Sequence, residues 1–127
     1  MKLLLDTHAL LYAISDPDRL SSAAQKAIRD PKITRWVSAV SLWEIAVKIQ
    51  IGKLDLPVTS AFYLEHIRKL RANMLQVDSR HSFEVFRLPM LHKDPFDRLL
   101  IAQARVEEMT LVTRDESIAR YSVLTLW

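Results

Sequence analysis

Four acidic residues recur at the same kind of position along the 127-residue chain. Each lies just past an apolar, strand-like run or in the first turn of the helix that is predicted to follow: Asp6, Glu44, Asp97 and Asp115. In an open parallel α/β sheet, the carboxyl ends of the strands border the ligand crevice. Carboxylates that converge there would form an all-oxygen site for a hard divalent cation such as Mg²⁺ or Mn²⁺.

Each of these acids also has an ordinary structural explanation. Ser41 and Glu44 form an S-x-x-E pattern, which is typical of a capping box, and Glu44 is spaced for a helical ion pair with Lys48. Asp94 could cap the helix that begins at the following proline, with Asp97 as the acid that the helix dipole favours in the first turn.

Asp6 and Asp115 could likewise be isolated caps. Two of the four acids are nevertheless placed toward the core. Asp97 shares a helical stripe with the apolar residues that follow it, and Glu44 has apolar neighbours in a helix that is apolar nearly all round. Buried acids are rarely left without a partner, and a cation could neutralise several of them together.

The elements that would position these acids alternate between strands and helices. The predicted strands are 3–5, 35–39, 74–77, 111–113 and 123–126, and the predicted helices are 8–14, 22–29, a helix opening at Ser41, 60–71, 79–88 and 95–108, with a helical turn at 116–120. This alternation predicts an α/β fold with a parallel sheet, in a single domain spanning residues 1–127.

The composition is that of a globular domain. Half of the residues are apolar, and no apolar run approaches the length of a membrane span. The chain has no cysteine, which excludes a disulfide framework or a thiolate metal site and is compatible with the cytoplasm, where we expect the protein. The four histidines are scattered without zinc-site spacing.

The chain as a whole has a mild basic excess. The net charge is +3, and an acidic centre needs compensating cations if its substrate is a polyanion. The basic residues near the acids in sequence that we predict to contact phosphate groups of such a substrate are Lys48, Lys93, Arg98 and Arg114.

Four segments of the chain resemble, in order, the four acidic segments of PIN-domain proteins. They are Leu4-Leu5-Asp6-Thr7-His8-Ala9-Leu10-Leu11, Ser38-Ala39-Val40-Ser41-Leu42-Trp43-Glu44-Ile45-Ala46, His92-Lys93-Asp94-Pro95-Phe96-Asp97-Arg98-Leu99-Leu100-Ile101-Ala102-Gln103-Ala104 and Leu111-Val112-Thr113-Arg114-Asp115. The length of the chain and its Asp-Pro-Phe-Asp-Arg sequence resemble the VapC-type toxins of bacterial toxin–antitoxin pairs.

This resemblance implies a three-layer α/β/α fold around a central parallel sheet, and an endoribonuclease that depends on Mg²⁺ or Mn²⁺. It implies a VapB-type antitoxin as the partner and a homodimer as the assembly. Carried over by position, the metal-site acids are Asp6, Glu44, Asp97 and Asp115, the accessory acid is Asp94, and the polar supports for water at the metal site are Ser41 and Thr113.

Two alternatives remain open from the sequence: a non-toxin PIN nuclease that acts in RNA processing, and a non-catalytic RNA-binding module. We also expect the helices around 41–54 and 60–71 to form a hairpin used for self-association or antitoxin binding. The apolar residues that they add beyond the core are Trp43, Val47, Ile51, Phe62, Tyr63 and Leu64.

Overall fold

Strand β1, Lys2–Leu5, is the central strand of a five-stranded parallel sheet in the computed structural model, which describes residues 1–127. It pairs with β2 (Thr34–Ser38) on one side and with β4 (Thr110–Val112) on the other. Strands β3 (Asn73–Leu75) and β5 (Thr125–Leu126) form the two edges, so the strand order is β3-β2-β1-β4-β5. The predicted parallel α/β sheet is confirmed.

Six α-helices connect and cover the strands. They are α1 (Thr7–Ser15), α2 (Ser22–Arg29), α3 (Ala39–Gln50), α4 (Ser60–Lys69), α5 (Ser79–Val85) and α6 (Pro95–Val106), and two short 3-10 turns occupy Pro17–Arg19 and Ile118–Arg120. None of these helices combines the length and the apolar character needed to cross a bilayer.

The helices lie in two layers because the central strand is apolar on both faces. Leu3 and Leu5 pack into a core that includes residues of α1, α2, α3 and α4. Leu4 points to the opposite face and packs into a second core that includes residues of α6. Successive side chains of a strand alternate between the faces of a sheet, so a run of three buried leucines requires both faces to be covered. The result is the predicted three-layer α/β/α arrangement.

Helix α3 begins two residues earlier than predicted. Strand β2 continues into the helix without a loop, and Ser38 is the cap, accepting a hydrogen bond from the backbone N–H of Val40 at 3.0 Å. Ser41 therefore lies inside the first turn and is fully buried. The capping box predicted for Ser41 and Glu44 is wrong, and both side chains are free to make other contacts.

The strand order places one crevice at the centre of the sheet. The chain moves outward from β1 to β2 and β3, then returns to the other side of β1 to form β4. The order thus reverses between β1 and β4, and ligands of open α/β sheets bind outside the carboxyl ends of the strands at such a point. Helix α6 runs back toward the start of β4, so its first turn lies at this same edge.

Candidate active site

Asp6 directly follows β1 and is the N-terminal cap of α1. Its Oδ1 accepts a hydrogen bond from the backbone N–H of Ala9 at 2.7 Å, so it caps α1. The residue is only 5% exposed. Burial raises the pKa of Asp6 above its ordinary value, although hydrogen bonds from Thr113 and Ala9 offset part of this increase. A cap uses one carboxylate oxygen, and the second oxygen of Asp6 can serve a ligand.

Asp97 lies in the first turn of α6, where Asp94 is the cap. The Oδ1 of Asp94 accepts hydrogen bonds from the backbone N–H groups of Phe96 at 2.8 Å and Asp97 at 3.3 Å. The pKa of Asp97 is raised to about 7, first by burial and then by the negative charges of Asp94, Glu44 and Asp6. The caps of α1 and α6 and one residue of α3 therefore interact electrostatically with the carboxyl group of Asp97.

Asp115 comes three residues after the end of β4. Its Oδ1 accepts hydrogen bonds from the backbone N–H of Ser117 at 2.9 Å and from the Ser117 hydroxyl at 2.6 Å. Thr113 orients this loop, since its Oγ1 accepts from the backbone N–H of Asp115 at 3.1 Å. Burial raises the pKa of Asp115, but the hydrogen bonds from Ser117 and His92 outweigh it and leave this pKa below its ordinary value.

His92 joins two of the predicted acids and was not among the site residues predicted from the sequence. Its Nε2 lies 3.0 Å from Oδ2 of Asp97 and 3.3 Å from Oδ2 of Asp115. Its Nδ1 accepts a hydrogen bond from the backbone N–H of Asp94 at 3.2 Å, which places the ring proton on Nε2, facing the two acids. The only sequence signal was its position two residues before Asp94.

Three of the four predicted acids line one open cavity of about 440 Å³ at the carboxyl edge of the sheet. None of the residues that line this acidic cavity is apolar: Asp6, His8, Asp97, Arg114, Asp115, Glu116 and Ser117. Separately, a ring nitrogen of His92 and one carboxylate oxygen each of Asp97 and Asp115 lie within 4.8 Å of one another. The structure thus brings Asp6, Asp97 and Asp115 together.

Glu44 is the exception, because it does not line the acidic cavity. It is 2% exposed, and its Oε1 accepts a hydrogen bond from the Thr7 hydroxyl at 2.6 Å. Its Oε2 forms an ion pair with Lys48, as the helical spacing predicted. The Oγ of Ser41 lies 3.1 Å from the same Thr7 hydroxyl. Glu44 and Ser41 are therefore held behind the cavity, although the charge of Glu44 still reaches Asp97.

The four basic residues predicted to contact RNA have different surroundings. Lys93 and Arg114 are exposed, and Arg114 lines the acidic cavity. Lys48 is partly buried against Glu44. Arg98 does not fit its predicted role, since it is 8% exposed and donates to the carbonyl of Pro89 at 2.9 Å and other nearby groups. The side chain of Arg98 supports the loop before α6 instead.

The ligand atoms at the acidic cavity are of the kind that hard divalent cations prefer. The convergent acids offer carboxylate oxygens, the chain has no thiolate, and the Nε2–H of His92 faces these acids as a donor and does not serve as a ligand. Oxygen sites of this kind suit Mg²⁺ or Mn²⁺. The residues present therefore fit the cation that the sequence predicts.

A family model described as the PIN domain matches residues 3–124, nearly the whole chain. The chain belongs to the PIN-domain family. The segments that carry Asp6, Glu44, Asp97 and Asp115 all lie within the matched region, and PIN domains are generally nucleases. No curated protein matches the sequence significantly.

Solved structures with the same fold come from several bacteria. VapBC2 from Rickettsia felis, bound to a promoter DNA fragment, has a TM-score of 0.74 at 17% identity, over 99% of this chain and 98% of that one. DNA-bound VapBC from Salmonella typhimurium has a TM-score of 0.67 at 13% identity, over 99% and 97%. FitAcB from Neisseria gonorrhoeae has a TM-score of 0.63 at 20% identity, over 98% and 96%. At these identities the similarity establishes the fold.

Proposed function

We propose that this PIN-domain protein is a Mg²⁺- or Mn²⁺-dependent endoribonuclease, acting in the cytoplasm as the toxin of a VapBC-type pair. The observation that carries the proposal is the convergence of Asp6, Asp97 and Asp115 on the acidic cavity. In line with this, burial and the charges of Asp94, Glu44 and Asp6 raise the pKa of Asp97 to about 7. Acids kept this close repel one another, and a divalent ion bound among them would relieve that repulsion.

The proposed ligands are Asp6, Asp97 and Asp115, with His92 beside them. A divalent ion bound by these residues would act as a Lewis acid, activating water for attack on phosphorus and neutralising the charge that develops there. The backbone N–H of Ala9 fixes the Asp6 carboxylate, and the Nε2–H of His92 holds the facing oxygens of the other two acids. These contacts pre-organise the acids before any ligand arrives.

Glu44 has a different part in this proposal. Its two oxygens are engaged by Thr7 and Lys48, so it contributes negative charge to the site from behind the acidic cavity. To become a direct ligand, as the family resemblance implies, it would have to exchange Lys48 for the cation. The ammonium of Lys48 then becomes available to a substrate phosphate, in line with its predicted role.

The substrate proposal is RNA, and the basic residues around the acidic cavity support it. Arg114 lines the cavity and Lys93 is exposed close by in sequence to its acids. Cationic side chains at the edge of an anionic centre allow a polyanion to approach it. Phosphate contacts of this kind make the affinity fall steeply as the salt concentration rises.

The test is cleavage of purified total RNA with Mg²⁺, with Mn²⁺ and with a chelator. We expect cleavage by the wild type only when the metal is present, and no cleavage by Asp97→Asn. Asp30→Asn is the matched control, because Asp30 ends α2 at the opposite edge of the sheet and should leave cleavage unchanged. Binding of RNA without cleavage in any metal would instead indicate the non-catalytic alternative.

A second experiment separates a toxin from a processing enzyme. Induced expression of the wild type in bacterial cells should arrest growth, and Asp97→Asn should not. If a small open reading frame adjoins its gene, co-expression of the encoded protein should restore growth. Normal growth with active enzyme would favour an RNA-processing nuclease.

The partner proposal rests on the apolar surface of α3 and α4. An open cavity of about 440 Å³ lies between them, with Leu42, Ile45 and Ile49 on one side. Leu64, which lines this cavity, is 53% exposed. Trp43 of α3 is 58% exposed, with its ring against Phe96. Exposed apolar area of this kind is typical of an interaction surface. We propose that this surface binds a VapB-type antitoxin or a second copy of the chain in a homodimer.

This proposal is tested by changing the surface without changing the site. Leu64→Glu should abolish co-purification with the antitoxin or shift the dimer to a monomer in sedimentation, while RNA cleavage is retained. Phe86→Glu is the control, since Phe86 is 86% exposed in the segment after α5, away from this surface. Equal association of both variants would contradict the assignment.

A further inference from the structure

Two arginines from distant parts of the chain lie over the ring of Tyr12. The guanidinium carbon of Arg19 lies 4.5 Å from the centroid of the Tyr12 ring, and that of Arg114 lies 5.4 Å away. Both arginines are exposed, whereas Tyr12 is 7% exposed. Arginine over an aromatic face is stabilised by cation–π attraction. Two positive charges thus lie close to one aromatic ring.

A second cavity lies beside this pair of arginines, with a volume of about 310 Å³. His8, Tyr12 and Ser15 line it from one face of α1, at the spacing that places side chains above one another on a helix. Arg19 and Lys48 also line it. We call this cavity the α1 subsite. Its only carboxylate is that of Asp55, so its lining is more basic than that of the acidic cavity.

The α1 subsite adjoins the acidic cavity. His8 is exposed and lines both, and Thr7 lines the α1 subsite while its hydroxyl holds Glu44. Arg114 lines the acidic cavity and also lies over the Tyr12 ring. An anionic chain bound across Arg114 and Arg19 would therefore pass directly beside the three convergent acids.

We propose that the α1 subsite binds the nucleotide next to the cleaved phosphodiester of a single-stranded RNA, with Arg19 and Arg114 contacting its backbone phosphates. This inference rests on the proposed ribonuclease function. A guanidinium is planar and donates two parallel hydrogen bonds to phosphate oxygens, and its charge is independent of pH in the ordinary range. The cavity volume is within the range of sites that enclose small organic groups.

RNA suits this arrangement better than an acidic protein segment. The two arginines lie on the path that leads to the acids, and a nuclease substrate must occupy both places at once. Tyr12 fixes both guanidinium groups before binding, which reduces the side-chain entropy lost when the phosphates are bound. The arginines are therefore positioning residues for the substrate strand and take no part in bond breaking.

The experiment measures RNA binding without cleavage. Fluorescence anisotropy of a short labelled single-stranded RNA is recorded in chelator over a range of NaCl concentrations. For single strands, the slope of log K against log salt concentration changes by about 0.7 for each phosphate contact. Arg19→Ala and Arg114→Ala should each reduce the slope by about 0.7, and the double variant by about 1.4.

Arg29→Ala is the matched control, because it removes the same charge from the end of α2 at the opposite edge of the sheet. Its slope should equal that of the wild type. Arg19→Lys should retain the wild-type slope, since it keeps the charge. Circular dichroism and melting temperatures establish that each variant is folded.

The outcomes separate the subsite from the proposed function. Unchanged slopes for Arg19→Ala and Arg114→Ala, in a protein whose wild type cleaves RNA, overturn the subsite and leave the nuclease intact. Reduced slopes in a protein that never cleaves RNA support the subsite and overturn the nuclease. The arginine variants could instead keep the wild-type salt dependence of RNA binding and lose binding to an acidic antitoxin segment. That result would also overturn the proposal, because the arginines would then serve a protein partner.

Discussion

The Thr7 hydroxyl donates a hydrogen bond of 2.6 Å to Glu44 Oε1, between two side chains that are almost completely buried. Thr7 immediately follows Asp6, the residue that caps α1. The start of one helix therefore controls two acids, because Asp6 is oriented by capping and Glu44 is held by the next side chain. The position of Glu44 depends on where α1 begins.

Replacing Thr7 by valine removes this hydrogen bond while nearly preserving the shape of the side chain. A buried acceptor that loses its donor costs about 1–3 kcal/mol, so Thr7→Val should lower the free energy of unfolding by that amount. Urea denaturation measures the change. Thr7→Ser keeps the hydroxyl and should retain most of the stability; equal losses in both variants would show that the methyl group, and not the hydrogen bond, is important.

Asp97→Asn should make the metal-free protein more stable at neutral pH. The substitution removes a charge that burial and three neighbouring acids oppose. A shift of one pKa unit corresponds to about 1.4 kcal/mol in the free-energy difference between the charged and the protonated carboxyl group. We expect a gain of about 1 kcal/mol, or roughly 3–6 °C in melting temperature. Asp30→Asn should show no such gain, and a melting temperature of Asp97→Asn below that of the wild type would contradict the repulsion.

The stability of the wild type should depend on pH through the same carboxyl group. Its pKa is about 7 in the folded protein against 3.8 as the ordinary value, so the folded state holds the proton more tightly. Its stabilising contribution is complete below about pH 4 and is lost as the pH rises through about 7. The raised pKa of Asp6 acts in the same direction.

This pH dependence is measured as a difference between two proteins, because other groups titrate as well. The stability advantage of Asp97→Asn over the wild type in chelator should be largest above pH 7 and should shrink steadily toward pH 4. An advantage that is constant across this range would show that the titration of Asp97 is not its source.

Mn²⁺ should raise the melting temperature of the wild type at neutral pH. A ligand that binds only the folded state stabilises it by about 2.7 kcal/mol at a concentration one hundred times its dissociation constant. The increase should fall as acid protonates the carboxylates and should be absent in Asp97→Asn. Differential scanning fluorimetry with and without Mn²⁺ tests this; an equal shift in both proteins would place the ion elsewhere.

Arg98 and Arg114 should respond differently to truncation. Arg98→Ala removes a buried guanidinium that donates to the Pro89 carbonyl and the Tyr121 hydroxyl, and it should cost about 3 kcal/mol or more. Arg114→Ala removes an exposed side chain and should cost less than about 1 kcal/mol. Urea denaturation of both variants is the measurement, and similar losses would contradict the structural role assigned to Arg98.

The parts of the fold that the sequence predicted well are those with strong local signals. The three leucines of β1 have no polar residue between them, and Asp94 followed by Pro95 specifies the start of α6 without ambiguity. The parallel sheet follows from the alternation of such segments. The start of α3 was harder, because Ser38 and Ser41 are both good caps and only the pairing of β2 with β1 decides between them.

The site was less predictable where it depended on the direction in which a side chain points. Arg98 follows Asp97 in sequence, but successive residues of a helix point about 100° apart, so adjacency to a candidate ligand did not place it at the site. His92 lies in a loop, where no periodicity indicates its orientation, and only its hydrogen bond from the backbone of Asp94 aims it at the acids. The engagement of Glu44 by Thr7 depends on contacts between helices.

The central position of β1 also affects how the protein folds. Its pairing with β4 joins Leu3 to Thr110, which are more than a hundred residues apart, and contacts so distant in sequence form slowly because a long loop must close first. Asp6 and Asp115 extend from these two strands. Until β4 pairs with β1, the acidic cavity is incomplete and the backbone edge of β1 is unpaired, and unpaired strand edges favour aggregation.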